Sequence, residues 1–303
     1  DGVQVDVQLA LLVAAECGEV EIAESLIERG ADVNAVTGFG GGRATALETV
    51  VASDTIEVNP DSADLEDDDE NEAIEARRLE LFEMLLGHGG NLDTVDADGR
   101  PLLHDVVSHN RSACLRKLAE MGADLEATDS EGNTAVIIAA SRGDDDMLGR
   151  LLFRGANPNV SDSDGRPALL QMFDEYSQCS AEIAKWLVAY GVDLEATDPQ
   201  GQVLEQLCER VLRKGADDDE YSYEQAEAIL ELLRDPELFG RFHGLLSRTA
   251  DSDDSCLEQV VCAVDLLEST DLAYSLVSAR VSQSSDHADG LLGQLFAHDD
   301  WRY

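Results

Sequence analysis

Lysine is almost missing from this 303-residue chain: Lys117, Lys185 and Lys214 are the only three, and with 18 arginines they face 36 aspartates and 28 glutamates. The formal net charge of -43 repels DNA, RNA and anionic membranes at long range, which excludes ordinary nucleic-acid binding. No apolar run approaches the roughly 18 residues of a membrane-spanning helix. Aromatic residues make up 5% of the chain and there are six prolines. No stretch carries sustained β-branched alternation, so strands are expected to be nearly absent. The six cysteines (Cys17, Cys114, Cys179, Cys208, Cys256 and Cys262) form no CxxC pair and mostly fall in apolar helical patterns, as packed free thiols do. That usage leads us to expect a reducing, cytoplasmic setting. The sequence opens at Asp1 without a charged-then-apolar leader, which fits a trimmed or processed start and leaves an earlier signal peptide open.

What the chain does have is a repeat. Gly89, Gly122 and Gly155 are spaced by 33 residues, and each follows a similar apolar run, as in Leu85-Leu86 and Leu151-Leu152. The stretch 129–159 shows one whole unit: a Gly-containing turn, an apolar run, a charged break, a second apolar run and a Gly-Ala-Asn step. Thr134-Ala135-Val136-Ile137-x-Ala139-Ala140 resembles the T-P-L-H-x-A-A step of the ankyrin family. Gly30-Ala31-Asp32-Val33-Asn34, Gly122-Ala123-Asp124 and Gly155-Ala156-Asn157-Pro158-Asn159 resemble its G-A-D-x-N step. The resemblance implies an all-α fold, an ankyrin-repeat solenoid of stacked helix-turn-helix units whose partners are other proteins.

On this reading residues 1–236 hold about six repeats. The first, from Leu9 to Asn34, is expected to act as an N-terminal cap. The second starts at Thr45-Ala46-Leu47, but its second helix, Arg77 to Leu86, arrives late, because Gly30 and Gly89 lie 26 residues further apart than one period. The surplus, roughly 52–76, has nine acidic and no basic residues between Asp61 and Glu75, a composition expected to form a solvated surface loop. Repeat three supplies His104 at the TPLH register, where the resemblance implies a hydrogen-bonded link between neighbouring repeats. Repeat five places Met172 and Phe173 at the Ala-Ala positions, and these larger residues should alter how closely inner helices approach. Repeat six carries an acidic loop between a first helix, Val203 to Leu212, and a second, Tyr223 to Leu233. Beyond Pro236 the turn signature disappears, and residues 237–303 read as C-terminal helical hairpins that continue or cap the stack, or as a separate small helical domain.

Each motif that could carry chemistry also has a structural reading. The turns DADGR at Asp96, DSEGN at Asp129, DSDGR at Asp162 and DPQGQ at Asp198 recur with the repeat, so their aspartates are expected to bind backbone amides around a left-handed glycine. An EF-hand reading fails because position twelve falls on Phe173 or Val107. The histidines His88, His104, His109, His243, His287 and His298 have no zinc-site spacing, and His287 and His298 beside Asp286, Asp289 and Asp299 read as a solvated cluster. No nucleophile elbow, P-loop or catalytic cysteine signature appears. Gly38 to Gly42 reads as a flexible finger loop, Trp186 as core, and Trp301 has no assigned role. The expectation is a protein that is not an enzyme and takes no cofactor or metal.

Function then follows from charge. The first reading is a cytoplasmic protein that binds and inhibits a basic partner, such as a nuclease, a toxin or a nucleic-acid-binding protein, in the manner of an immunity protein or nucleic-acid mimic. The partner-binding candidates are Asp61, Asp64, Glu66, Asp67, Asp68, Asp69 and Glu70 in the insertion, and Asp96, Asp98, Asp129, Glu131, Asp162 and Asp164 at the turn tips. The second reading is a generic ankyrin scaffold whose acidity reflects a halophilic or GC-rich source, because the insertion supplies only nine of the 64 acidic residues. An enzyme with a site in the C-terminal region is the remote third.

Overall fold

Helices account for nearly all regular structure in the computed structural model, which describes residues 6–39, 42–56, 67–96, 98–173, 180–214 and 220–234. The chain divides into two units, Asp1–Ile138 and Ala139–Tyr303. In the first unit, α1 (Val7–Cys17) begins at Asp6, whose carboxylate accepts from the amides of Gln8 and Leu9 at 3.0 and 3.3 Å. It ends at Gly18, where a Cβ would lie 2.7 Å from Ile56, so the close approach of that side chain requires glycine. α2 (Val20–Glu28) returns along α1. The glycine-rich finger is a β-hairpin: β1 (Thr37–Phe39) pairs antiparallel with β2 (Gly42–Ala44), Thr37 opposite Ala44.

α3 (Ala46–Ala52) opens on a capping box in which the Thr45 amide donates to Glu48 Oε2 at 2.8 Å and the Glu48 amide donates to Thr45 Oγ1 at 3.3 Å. A seven-residue helix is marginal alone, and its last turn is held by charges from far along the chain. Arg78 donates to the carbonyls of Val50 (2.5 Å) and Ser53 (2.8 Å), and Arg111 donates to those of Val51 (3.1 Å) and Ser53 (3.2 Å). Glu75 Oε1 accepts from both guanidinium groups, at 3.1 and 3.0 Å, and so offsets their mutual repulsion. Two cations at a helix C-terminus satisfy carbonyls that the helix cannot and complement its dipole. Next to Arg78, Arg77 donates to the Gly18 carbonyl at 2.8 Å, at the end of α1.

This network corrects the expected loop. α4 spans Asp67–Gly87, so the second helix of repeat two begins ten residues before Arg77 and the later part of the acidic insertion is helical. Acidic residues in a first helical turn are favoured by the positive end of the helix dipole, and Glu, Ala and Arg after them are good helix formers. The insertion's entry is also ordered: Ser53 Oγ and Thr55 Oγ1 donate to the Glu16 carbonyl at 2.6 and 3.0 Å, and Ile56 is buried. Residues 57–66 lie outside the described residues.

α5 (Leu102–Ser108) and α6 (Ser112–Glu120) form repeat three, joined through Asn110 at φ +53. Within this unit α1 packs on α3 and α3 on α5, while α2 packs on α4 and α4 on α6, as two rows of helices. The boundary between units falls inside α7 (Ala135–Arg142). In the second unit, α8 (Asp145–Phe153) packs on α9 (Ala181–Ala189), which contacts α11 (Glu220–Arg234), itself paired with α10 (Leu204–Lys214). Trp186 is buried there, as its spacing predicts, with its ring 6.4 Å from that of Tyr190. The inner element of repeat five is a six-residue 3-10 helix, Ala168–Phe173, rather than an α-helix. Met172 is fully buried where the smaller Ala139 sits in repeat four. The proposed C-terminal hairpins, and with them His243, His287, His298 and Trp301, lie outside the described residues.

Replacing Arg78 by Leu strips the last turn of α3 and leaves Glu75 facing Arg111 alone. Urea unfolding of that variant is expected to show a loss of about 3–5 kcal/mol. Arg116→Leu, which breaks only the exposed 3.6 Å pair with Glu120, should cost no more than about 1 kcal/mol. Equal losses would contradict the capping role.

Candidate partner-binding surface

Each repeat turn is built around its first aspartate. Asp96 Oδ1 accepts from the amides of Asp98 and Arg100, both at 2.8 Å, and Asp129 Oδ1 from those of Glu131 and Asn133, both at 2.9 Å. Asp162 accepts from Asp164 and Arg166 at 3.0 and 2.8 Å, and Asp198 from Gln200 and Gln202 at 3.0 and 2.7 Å. Backbone pairs between the first and fifth residues close the loops, and Gly99, Gly132, Gly165 and Gly201 take φ of +76 to +79 inside them. The structural reading of these aspartates therefore holds, and it divides the candidates. Asp96, Asp129 and Asp162 are half-buried against their own turns, whereas Asp98, Glu131 and Asp164 are exposed.

Hydrogen bonding sets the charge state of Asp129. Its burial alone would raise the carboxyl's pKa, but the Asn133 side chain and the Asn133 and Glu131 amides outweigh that and hold it below the usual range. At the other end of the unit a second set of turns repeats the device: Asp32, Asn91, Asp124, Asn157 and Asp193 each accept from the amide two residues on. Asn34 Oδ1 accepts from the Asn91 amide at 2.8 Å while its Nδ2 donates to the Gly89 carbonyl at 2.9 Å, and Asn159 Oδ1 accepts from the Asp193 amide at 2.7 Å.

His104 links its repeat forward as the resemblance implies, with Nε2 3.0 Å from the Ala127 carbonyl. That geometry requires a proton on Nε2, and burial lowers the ring's pKa and keeps it neutral. Glu48 occupies the same register one repeat earlier and does the same work with a different group: its Oε1 accepts from Thr94 Oγ1 at 3.0 Å, while Oε2 serves the capping box. Only 4% exposed, Glu48 was not legible as a linker because a glutamate replaces the histidine.

Asp105, one residue past His104, is the other group that sequence alone did not single out. Burial pushes its carboxyl up to about 6, and the negative charges of Asp96 and Glu48 add to that against the opposing Arg100 and His109. Among the insertion candidates, Asp61, Asp64 and Glu66 lie outside the described residues; Asp67, Asp68, Asp69 and Glu70 form the first turn of α4. The described cysteines Cys17, Cys114 and Cys208 carry free thiols, and burial pushes Cys114 up to about 12. Among the described residues no group of three or more His, Cys, Asp or Glu could hold a metal ion, and no helix is long and apolar enough to cross a membrane.

Comparison with known proteins agrees with this geometry. The family model described as Ankyrin repeats (3 copies) matches residues 71–162, and that described as Ankyrin repeat matches residues 8–38. No curated protein matches the chain.

Asp105 generates a pH prediction. A carboxyl whose folded pKa is raised from 3.8 to about 6 contributes stability that is fully present below about 3.8 and lost as pH rises through 6. Asp105→Asn removes the ionised penalty, so thermal unfolding at pH 7.5 should move up by about 2–4 °C, with little change at pH 3.5. A variant that melts lower at pH 7.5 would show that the carboxylate is stabilising.

Proposed function

The chain is an ankyrin-repeat protein, a protein–protein interaction module, and we propose that it binds and inhibits a basic protein through its turn tips. The carrying observation is the division of labour within each turn. One aspartate is committed to the backbone, and a second acid, Asp98, Glu131 or Asp164, is left exposed on a loop that its neighbour holds rigid. A loop whose backbone is held keeps its place when a partner arrives, so ordering entropy is confined to the acid's own side chain. On a chain of net charge -43 the field steers a cationic protein toward these tips and disfavours acidic competitors. A nuclease, a toxin or a nucleic-acid-binding protein presents such a cationic face, and an acidic surface laid over it occupies the place of phosphates. The start of α4, with Asp67, Asp68, Asp69 and Glu70, adds acids on the insertion side. A reducing cytoplasm suits the free thiols.

Acidity inherited from the source is the second reading, supported by the spread of 64 acids along the whole chain and by the three lysines. Capture from a lysate of the source organism at physiological salt separates the two. One basic protein should be recovered in stoichiometric amount, and the triple variant Asp98→Asn, Glu131→Gln, Asp164→Asn should bind it about tenfold or more weakly, with a flatter salt dependence. Undiminished affinity in the triple variant, or a native fold that requires molar salt, would favour the environmental reading.

A further inference from the structure

The turns of repeats three and five share one pattern, D-x-D-G-R-P, at Asp96 and at Asp162, but the residue nine places after that first aspartate differs: Asp105 in repeat three, Gln171 in repeat five. Each is the fourth residue of the element that follows its turn, α5 and the 3-10 helix Ala168–Phe173. Gln171 is buried and ties its element to its turn, its Nε2 donating to Asp162 Oδ2 at 2.9 Å and to the Arg166 carbonyl at 3.3 Å. An ionised aspartate at that register has no proton to donate. Asp96 accepts from the amides of Asp98 and Arg100 and, through Oδ2, from the Arg100 guanidinium at 3.1 Å, but among the described residues no side chain of α5 donates to it.

Half-buried, Asp105 meets the charges of Asp96 in its turn and Glu48 in α3, opposed by Arg100 and by His109 one helical turn on, whose Nδ1 lies 2.9 Å from the Asp105 carbonyl. α5 also packs on α6, where the cations are engaged elsewhere: Arg111 at the end of α3 and with Glu75 and Asp54, Arg116 with Glu120, Lys117 with Glu83. In the next repeat Asp129 acts on His104, and Arg142, at the register of His109, is exposed. Two carboxylates set close together in a half-buried place share one proton more readily than they hold two charges. We propose that Asp105 and Asp96 form a proton-operated latch between α5 and the turn of repeat three, closed when Asp105 takes a proton from solvent and donates it to Asp96, open when both carboxylates are ionised. Aspartate is one methylene shorter than glutamine, so closing the bond draws the turn toward α5 by about 1.5 Å. Burial and the neighbouring acids push the Asp105 carboxyl up to about 6, so the latch is closed at lower pH and released as pH rises through that value. It concerns the turn itself, whatever the tip binds.

Amide hydrogen exchange of the full chain, followed by NMR between about pH 5 and 8 and divided by intrinsic rates, reads the latch at the Asp98 and Arg100 amides. Their protection should fall about tenfold as pH rises through 6. The matching amides are controls in the same sample: Glu131 and Asn133 in repeat four, where Ile138 holds the register, and Asp164 and Arg166 in repeat five, where Gln171 does, should stay within about twofold. Asp105→Asn keeps a donor without a charge, so its protection should remain high across the range. Asp105→Leu removes both and should be flat, about threefold or more below Asp105→Asn at the acid end. Equal protection in those two variants would mean that repulsion acts alone, and would overturn the latch. His109→Gln should keep the profile of the unmodified chain; a profile lost there and kept in Asp105→Asn would assign the titration to the histidine and overturn it. A flat profile in the unmodified chain, judged against its own control turns and needing no variant to fold, would overturn it as well.

Discussion

The pair of hydrogen bonds that an aspartate Oδ1 accepts from the amides two and four residues ahead is the interaction on which the rest depends. It appears at Asp96, Asp129, Asp162 and Asp198, each time with a left-handed glycine between the two amides. The loop backbone is thereby satisfied without a sheet, a charged acceptor strengthens each bond, and the following helix starts from a fixed place. Because the first acid is spent on the backbone, the exposed acid two residues on is presented by a loop that cannot relax away. Fold and surface charge come from the same five residues.

The insertion shows how one repeat absorbs 26 extra residues without losing its register. Its two flanks are fastened, Ser53 and Thr55 to the end of α1 and Arg77 and Arg78 to the ends of α1 and α3. Arg111, from the next repeat, completes the cap on α3, so the short helix is held by two repeats at once.

The period and the turn chemistry were legible because each recurs along the chain, and the linking role of His104 because its register resembles the family's TPLH step. Three other features were not. The acids before Arg77 read as a loop on composition, although at a helix start the same charges are favourable. Glu48 hid its linking role behind a residue type that the family pattern does not place there. The paired caps of Arg78 and Arg111 join groups 25 to 60 residues apart, and no spacing rule announces them. The 3-10 helix of repeat five was foreshadowed only as a change in packing, since Met172 and Phe173 signal bulk but not a helix type.

The tips depend on the turn, so the sharpest test compares the two acids of one turn. Urea unfolding of Asp129→Ala and Glu131→Ala should give a loss of about 1.5–3 kcal/mol for the first and a change within about 0.5 kcal/mol for the second, at unchanged slope. Equal losses, or a larger one for Glu131, would contradict the division between an acid that holds the turn and an acid left exposed on it.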